Sequence, residues 1–226
     1  MGPQPANQVK NQAILFPACC CAMLLSIGCT TGPFAQKDQT SIITPAMRVA
    51  AVREIGASAD QADSDEQLRL TEQLALQIRT EPDPLVRQAI QESIAEFSTP
   101  LAREVLIAGL QDDDIDVRIT CCQRLGGRSD DSVVGALRAV LERDEELDVR
   151  LAAIDALGRI PTTETVSALA LALNDRDPAM QYAAIQALQA VSDQNFGNDV
   201  AAWREYTQRD QSQISVATKP KSVFPF

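Results

Sequence analysis

The stretch that decides the fold reads ELDVRLAAIDALG at residues 146–158. Four further segments carry the same pattern. They read TPAMRVAAVREIG at 44–56, DPLVRQAIQESIA at 83–95, DIDVRITCCQRLG at 114–126 and DPAMQYAAIQALQ at 177–189. Successive copies begin 39, 31, 32 and 31 residues apart. A nearly fixed period of this length is typical of proteins built from stacked repeats.

Each copy encodes an amphipathic helix. Its first position holds Thr, Asp or Glu, which cap or favour a helix N-terminus. Apolar residues then recur at i, i+3, i+4 and i+8, with small residues at the centre, so neighbouring helices can approach closely. Gly56, Gly126 and Gly158 follow the last apolar position, where we expect a left-handed C-cap.

A second amphipathic helix is predicted between successive copies. These helices are expected at 67–80, 100–111, 131–143 and 163–173. The repeating unit is therefore a helix–turn–helix of about 31 residues. The sequence predicts an all-α solenoid of about five helix pairs over residues 44–193.

The stack is expected to end in a capping helix at 194–209. Asn198 or Asp199 can cap it, and its apolar face, with Trp203, would cover the last repeat. A ligand-stacking role for Trp203 is the alternative. Residues 210–226 lack periodicity, and we expect a disordered tail there. Its apolar end, Phe224-Pro225-Phe226, leaves a docking peptide as a second possibility.

The caps, the Val-Arg pair and the small-residue stripe resemble HEAT repeats, especially the short bacterial kind grouped with phycobilisome-lyase-like repeats. The resemblance covers residues 44–193. It implies an armadillo-like superhelix. That fold serves scaffolds, adaptors and a few enzymes, so it indicates structure more strongly than activity.

The N-terminal residues 1–28 indicate an export signal. Lys10 is their only charge, and residues 13–28 form an apolar run too short for a bilayer span of about 20 residues. The run ends in LSIGC, which resembles a lipobox. That resemblance implies acylation of Cys29 and an anchor in the lipid bilayer. An ordinary signal peptide or a buried apolar helix is the alternative.

The lipobox resemblance also suggests a location in the cell envelope. Thr30 follows the expected lipid-bearing Cys29, whereas Asp at that position is associated with inner-membrane retention in some bacteria. The outer membrane, with the domain facing the periplasm, is therefore expected. Residues 29–43 contain Gly, Pro and many polar residues, and they predict a flexible tether.

Composition excludes several classes of function. The chain contains no histidine, which excludes Ser-His-Asp and Cys-His catalysis and imidazole metal sites. Its net charge of −11 argues against binding nucleic acid. Cys121 and Cys122 occupy columns otherwise filled by Ala or Ile, so we interpret them as small core residues. We expect no catalytic residue, no metal and no cofactor.

One column of the repeat is basic, and it holds Arg48, Arg87, Arg118 and Arg150. The HEAT resemblance implies that these arginines bridge to acidic side chains or turn carbonyls of an adjacent unit. Asp83, Asp116 and Asp148 are the expected partners. A row that binds anions is the alternative.

Two further columns share a face of the recurring helices and indicate a surface for a partner. If these helices line the concave side, Ile119, Leu151 and Tyr182 form an apolar ridge. Four residues further along each helix lie Gln123, Asp155 and Gln186. Such a surface suits a partner helix or an extended peptide. Packing against neighbouring helices is the alternative role of these side chains.

Together these observations predict a membrane-anchored scaffold for an unidentified protein or peptide. A binding protein for a small or peptide ligand in the cell envelope is the second hypothesis. A lyase-like enzyme is the third, and it rests on fold analogy alone.

Overall fold

The computed structural model describes Gly2 and residues 43–128, 130–209 and 211–221. Ten α-helices make up most of this part of the chain, and all belong to one unit that begins at Ile43. Their bounds are α1 Pro45–Ala57, α2 Ser64–Ile78, α3 Pro84–Ile94, α4 Pro100–Gly109, α5 Ile115–Gly127, α6 Val134–Arg143, α7 Leu147–Leu157, α8 Thr163–Leu173, α9 Pro178–Val191 and α10 Val200–Thr207.

The recurring helices α1, α3, α5, α7 and α9 begin at the expected cap residues. The side chains of Thr44, Asp83, Asp114 and Asp177 each accept a hydrogen bond from a backbone N–H in the first turn. These bonds satisfy donors that a helix leaves unpaired. Glu146 occupies the same position before α7 without a capping bond from its side chain.

The helices form two layers. In the recurring layer, α1 packs on α3, α3 on α5, α5 on α7 and α7 on α9. In the intervening layer, α2 packs on α4, α6 on α8, and α8 on α10. One continuous apolar core runs between the layers. The predicted all-α solenoid is therefore confirmed.

Three glycines have a different role from the expected left-handed caps. Gly56 and Gly126 lie inside α1 and α5, and Gly158 adopts the right-handed helical conformation with a φ of −61°. Each lies against the next recurring helix. A Cβ atom on Gly126 would lie 2.6 Å from Cα of Ala156. These glycines therefore permit close helix–helix contact, which the one-dimensional pattern does not distinguish from capping.

A capping helix closes the C-terminal end of the stack. Asp199 begins α10 with hydrogen bonds from two backbone N–H groups. The Trp203 side chain is buried, and its indole N–H donates to the Gly197 carbonyl at 2.9 Å. Arg204 donates to the carbonyl of Leu173 at the end of α8, which fixes α10 on the last unit.

The structure differs from the disordered tail expected from residue 210 onward. Residues 211–221 form a segment that runs back along the end of α9, and we call it the C-terminal strap. Ser192 and Val216 form an antiparallel bridge, and the N–H of Ala217 donates to Val191 at 2.9 Å. The buried Tyr206 hydroxyl donates to the Ser215 carbonyl at 2.7 Å. These backbone bonds leave no periodic sequence signal.

Candidate functional site

The exposed side of α3, α5, α7 and α9 is the candidate interaction surface, and we call it the recurring-helix surface. Tyr182 on α9 is 59% exposed there. Ile119 and Leu151 are only half-buried, but both pack against the core. The predicted ridge thus combines an exposed aromatic side chain with two aliphatic side chains that also stabilise the fold.

The polar residues predicted beside the ridge lie on the same surface. Gln123 is exposed, and Asp155 and Gln186 are half-buried. Gln123 and Asp155 line one groove of about 410 Å³ across the ends of α3, α5 and α7. Asp155 accepts a hydrogen bond from Arg159 at 2.8 Å, so its charge is partly neutralised within its own unit.

Sequence reasoning missed a second apolar feature on this surface. At the N-terminal ends of α5 and α7, Ile115 is 40% exposed and Leu147 is 37% exposed. The exposed carboxylates of Asp116 and Asp148 follow them directly. We call these four residues the edge strip. The sequence does contain a signal for this feature. At the first helical position, α1, α3 and α9 carry Pro, whereas α5 and α7 carry these aliphatic side chains.

Leu85 extends the apolar surface onto α3. It lies in the first turn of that helix, next to α5, and is 64% exposed. Large apolar side chains are therefore exposed on all four helices of the recurring-helix surface. Single exposed leucines are common in soluble proteins, whereas a series on adjacent helices is typical of a contact surface.

The basic column forms a ladder between units, but with partners other than those predicted. Each arginine binds the acidic residue that lies two positions before the cap of the next recurring helix. Arg87 binds Asp112 through two hydrogen bonds of 2.7 and 2.8 Å. The full set of pairs is Arg48–Glu81, Arg87–Asp112, Arg118–Asp144 and Arg150–Asp175.

The expected partners Asp83, Asp116 and Asp148 do not bind these arginines. Asp83 caps α3, and Asp116 and Asp148 are exposed in first helical turns. The reason is geometric: a carboxylate before the cap can accept from the arginine and also from the N–H of the cap residue. Asp112 does both, since it also accepts from the N–H of Asp114 at 2.9 Å.

Two carboxylates of the ladder, Asp112 and Asp175, have a lowered pKa. Burial alone would raise the pKa of Asp112, but hydrogen bonds from Arg87 and the Asp114 N–H and the nearby arginine charges leave that pKa below its usual value. For Asp175, hydrogen bonds from the Asp177 N–H and from Arg150 lower the pKa. The ladder arginines are therefore already paired with carboxylates of the fold, so little positive charge is available to bind an external anion.

Cys121 and Cys122 are buried in α5. Burial raises the pKa of the Cys122 thiol to about 12 and that of the Cys121 thiol well above its usual value. A thiol in this environment stays protonated and is a poor nucleophile. Their positions agree with the interpretation as small core residues.

Metal and membrane features are limited within the described part of the chain. There, no group of three or more Cys, Asp or Glu residues could hold a metal ion. No helix within those same residues is long and apolar enough to cross a membrane. Apart from Gly2, the predicted signal at 1–28 lies outside the described residues, and so do Cys29, the tether up to residue 42 and Phe224-Pro225-Phe226.

Comparison with known proteins agrees with this architecture. The family model for HEAT repeats matches residues 71–146 and 134–202, which together span more than half of the chain. The chain therefore belongs to the HEAT-repeat family. A search of curated proteins found no match. Solenoids of this family are typically non-enzymatic scaffolds for protein interaction.

Proposed function

We propose that the protein is a lipid-anchored scaffold that binds a partner protein through the recurring-helix surface. The single observation that carries this proposal is the series of exposed apolar side chains on consecutive helices. Leu85, Ile115, Leu147 and Tyr182 have no core to fill, so their burial against a partner would release ordered water and favour binding. The family supports the same role, because HEAT solenoids are typically scaffolds.

The anchor and the location belong to this proposal. An acylated Cys29 would hold the domain at the outer membrane, facing the periplasm, and residues 29–43 would act as the tether. More than one acyl chain gives stable attachment. The Cys29→Ala variant should move from the membrane fraction to the soluble fraction. Unchanged partitioning into detergent would contradict the anchor without affecting the scaffold.

A pocket for a small ligand fits the described surface less well. The groove that contains Gln123 and Asp155 is also lined by Arg124, Arg128 and Arg159, and it is open to solvent along the helix ends. Small-molecule sites are usually concave and mostly apolar, with only a few polar groups. We therefore favour a macromolecular partner over a small ligand, and we assign no catalytic step.

Site-specific crosslinking in the native cell tests the scaffold. A photo-crosslinking amino acid at Tyr182 should give a discrete adduct with the partner, because this side chain is exposed on the proposed surface. The matched control is the same amino acid at Leu76, which is 66% exposed on α2 in the other layer. Equal adducts at both positions would remove the assignment to the recurring-helix surface.

A substitution tests the same surface. Tyr182→Glu should abolish pull-down of the partner that the crosslink identifies, while the circular dichroism spectrum of the protein stays unchanged. Leu151→Glu is a less clean test, because Leu151 also packs against the core and the variant is expected to lose stability. Retention of the partner by a folded Tyr182→Glu variant would contradict the proposal.

A further inference from the structure

The edge strip suggests the chemistry of the partner, an inference that rests on the proposed function. We propose that Ile115, Asp116, Leu147 and Asp148, together with the groove beside them, bind a cationic, extended segment of a partner protein. The apolar side chains would contact aliphatic side chains of the segment, and the carboxylates would pair with its Lys or Arg residues.

The apolar half of this argument is the unusual position of two aliphatic side chains. Ile115 and Leu147 are the first residues of adjacent helices, α5 and α7. Their Cα atoms lie at the edge of the layer, so neither side chain is buried by a neighbouring unit, and both remain more than a third exposed. Pro would suit this position as well for helix formation and would expose less flexible apolar surface.

The charged half is an excess of free carboxylates around those side chains. Asp116 and Asp148 form no ion pair with any described residue, and the same holds for the exposed Asp113, Glu145 and Glu146. The ion pairs among the described residues instead use the acids of the ladder and other carboxylates, such as Asp130 and Asp155. The strip is therefore an apolar surface bordered by carboxylates that are available to a partner.

A groove of about 400 Å³ lies between the turns that lead into α5 and α7, next to the strip in sequence. Ala139 and Val140 of α6 contribute apolar atoms to its lining. Five acidic side chains and two arginines, Arg118 and Arg143, line it. Arg118 is already paired with Asp144. A Lys or Arg side chain fits this environment, because its methylene stem can cover apolar atoms while its charge faces carboxylates.

The spacing between Asp116 on α5 and Asp148 on α7 favours an extended segment. Packed helices lie about 8–10 Å apart, and three residues of an extended polyproline II segment span about 9 Å and return the side chain to the same side. A segment that crosses from α5 to α7 would therefore present one cationic residue to Asp116 and another, three positions later, to Asp148. Residues between them would contact Ile115 and Leu147.

Charge also argues against the other occupants of such a surface. A second copy of this chain, with a net charge of −11, would bring further negative charge to the strip. An anionic lipid surface would be repelled in the same way. A cationic segment is the occupant whose charge complements the strip, and it should associate faster at low ionic strength.

Peptide binding by the full chain tests the proposal. The probe is a fluorescein-labelled 12-residue peptide with the repeat Lys-Leu-Ser, and its comparison has Glu in place of Lys. Fluorescence anisotropy should detect binding of the cationic probe alone. The double substitution Asp116→Asn with Asp148→Asn should weaken it about fivefold, the loss expected for two exposed charge pairs. Added salt should weaken binding by the intact chain more than by the variant.

The matched control is the double substitution Asp65→Asn with Glu72→Gln on α2. It changes the net charge equally at exposed positions without a described ion pair, so it should leave probe binding unchanged. Circular dichroism must show equal helicity in both variants. Three binding results would overturn the proposal: equal loss of binding in both variants, binding of the Glu probe, or no binding of the cationic probe. A dimer of the chain that becomes stronger in the Asp116→Asn, Asp148→Asn variant would also overturn it.

Failure of the scaffold proposal can be distinguished from failure of the cationic-segment proposal. Crosslinks at Tyr182 in cells, combined with failure of the cationic probe, would leave the scaffold intact and reject only the chemistry assigned to its partner. Probe binding without any crosslink at Tyr182 would retain the cationic site and reject the scaffold in the cell.

Discussion

The two ends of the stack differ, and Met47 and Met180 show how. These methionines occupy the same column of the repeat, three residues after the cap. Met180 in α9 is fully buried, whereas Met47 in α1 is 53% exposed. The side chain at this position is also buried in α3, α5 and α7, each of which has a described unit before it. Among the described residues no unit precedes α1, so the side chain stays exposed.

The C-terminal end shows what a closed end requires. Trp203 and Tyr206 of α10 are buried over the last unit, and their rings pack edge-to-face at 5.8 Å between centroids. The C-terminal strap then supplies hydrogen-bond donors to the end of α9. Since one repeat cannot bury its own apolar face, an end without such a cap keeps apolar surface exposed.

The largest expected effect is at the closed end. Trp203→Ala should lower the free energy of unfolding by about 3–5 kcal/mol, because it leaves a large cavity under α10 and removes the bond to Gly197. Urea unfolding followed by circular dichroism measures it. Tyr182→Ala, an exposed aromatic residue, is the control and should change stability by less than about 1 kcal/mol. Similar losses in the two variants would argue that α10 does not stabilise the stack.

The two methionines give the next largest effect. Met180→Ala should cost about 2–4 kcal/mol, since it removes a fully buried side chain. Met47→Ala should cost less than about 1 kcal/mol, because that side chain is half solvated already. The same unfolding measurement applies to both. A large loss for Met47→Ala would show that something covers α1 in solution, which would change the comparison.

The arginine ladder also differs between the two ends of the stack. Arg48→Gln should cost about 2 kcal/mol, because Glu81 is 5% exposed and would lose its cation. Gln181 occupies the same column in α9 and donates to the Asp175 carbonyl. Gln181→Arg should therefore change stability by less than about 0.5 kcal/mol, because the partner of this side chain is a backbone carbonyl and not a carboxylate. Chemical denaturation of the two variants compares them, and a clear gain for Gln181→Arg would contradict this account.

The smallest effect concerns pH at the closed end. The pKa of Asp175 is lower in the folded chain than its usual value. Its contribution to stability is therefore present above about pH 4, the unfolded pKa, and is lost as the pH falls through the folded pKa. In Asp175→Asn, the urea midpoint should depend less on pH below about 4. An identical pH dependence in the variant and the parent chain would reject this assignment.

The sequence predicted helices and layers well because local signals determine them. The cap residues begin four recurring helices through side-chain bonds, and such bonds involve only neighbours in sequence. The acid partners of the arginines were predicted wrongly, although they form a column of their own, two residues before each cap. Their choice depends on the distance between units, which a pattern along one helix does not contain.

Two other features lie beyond the sequence for a similar reason. Gly126 was read as a helix end, but its position against Ala156 follows from how closely α5 and α7 pack. The exposure of Ile115 and Leu147 depends on what lies beyond the edge of the layer. Alternation of apolar and polar residues identifies the buried face of a helix, whereas it does not identify which apolar residues at a helix end remain uncovered.

The C-terminal strap has a consequence for synthesis of the chain. The end of α9 obtains backbone partners from residues 217 and 221, which leave the ribosome after α10. The earlier units can stack as they emerge, because each needs only its neighbours. The last unit is therefore completed only when the strap arrives, and a nascent chain halted before residue 211 should hold α9 in an unfinished, protease-sensitive state.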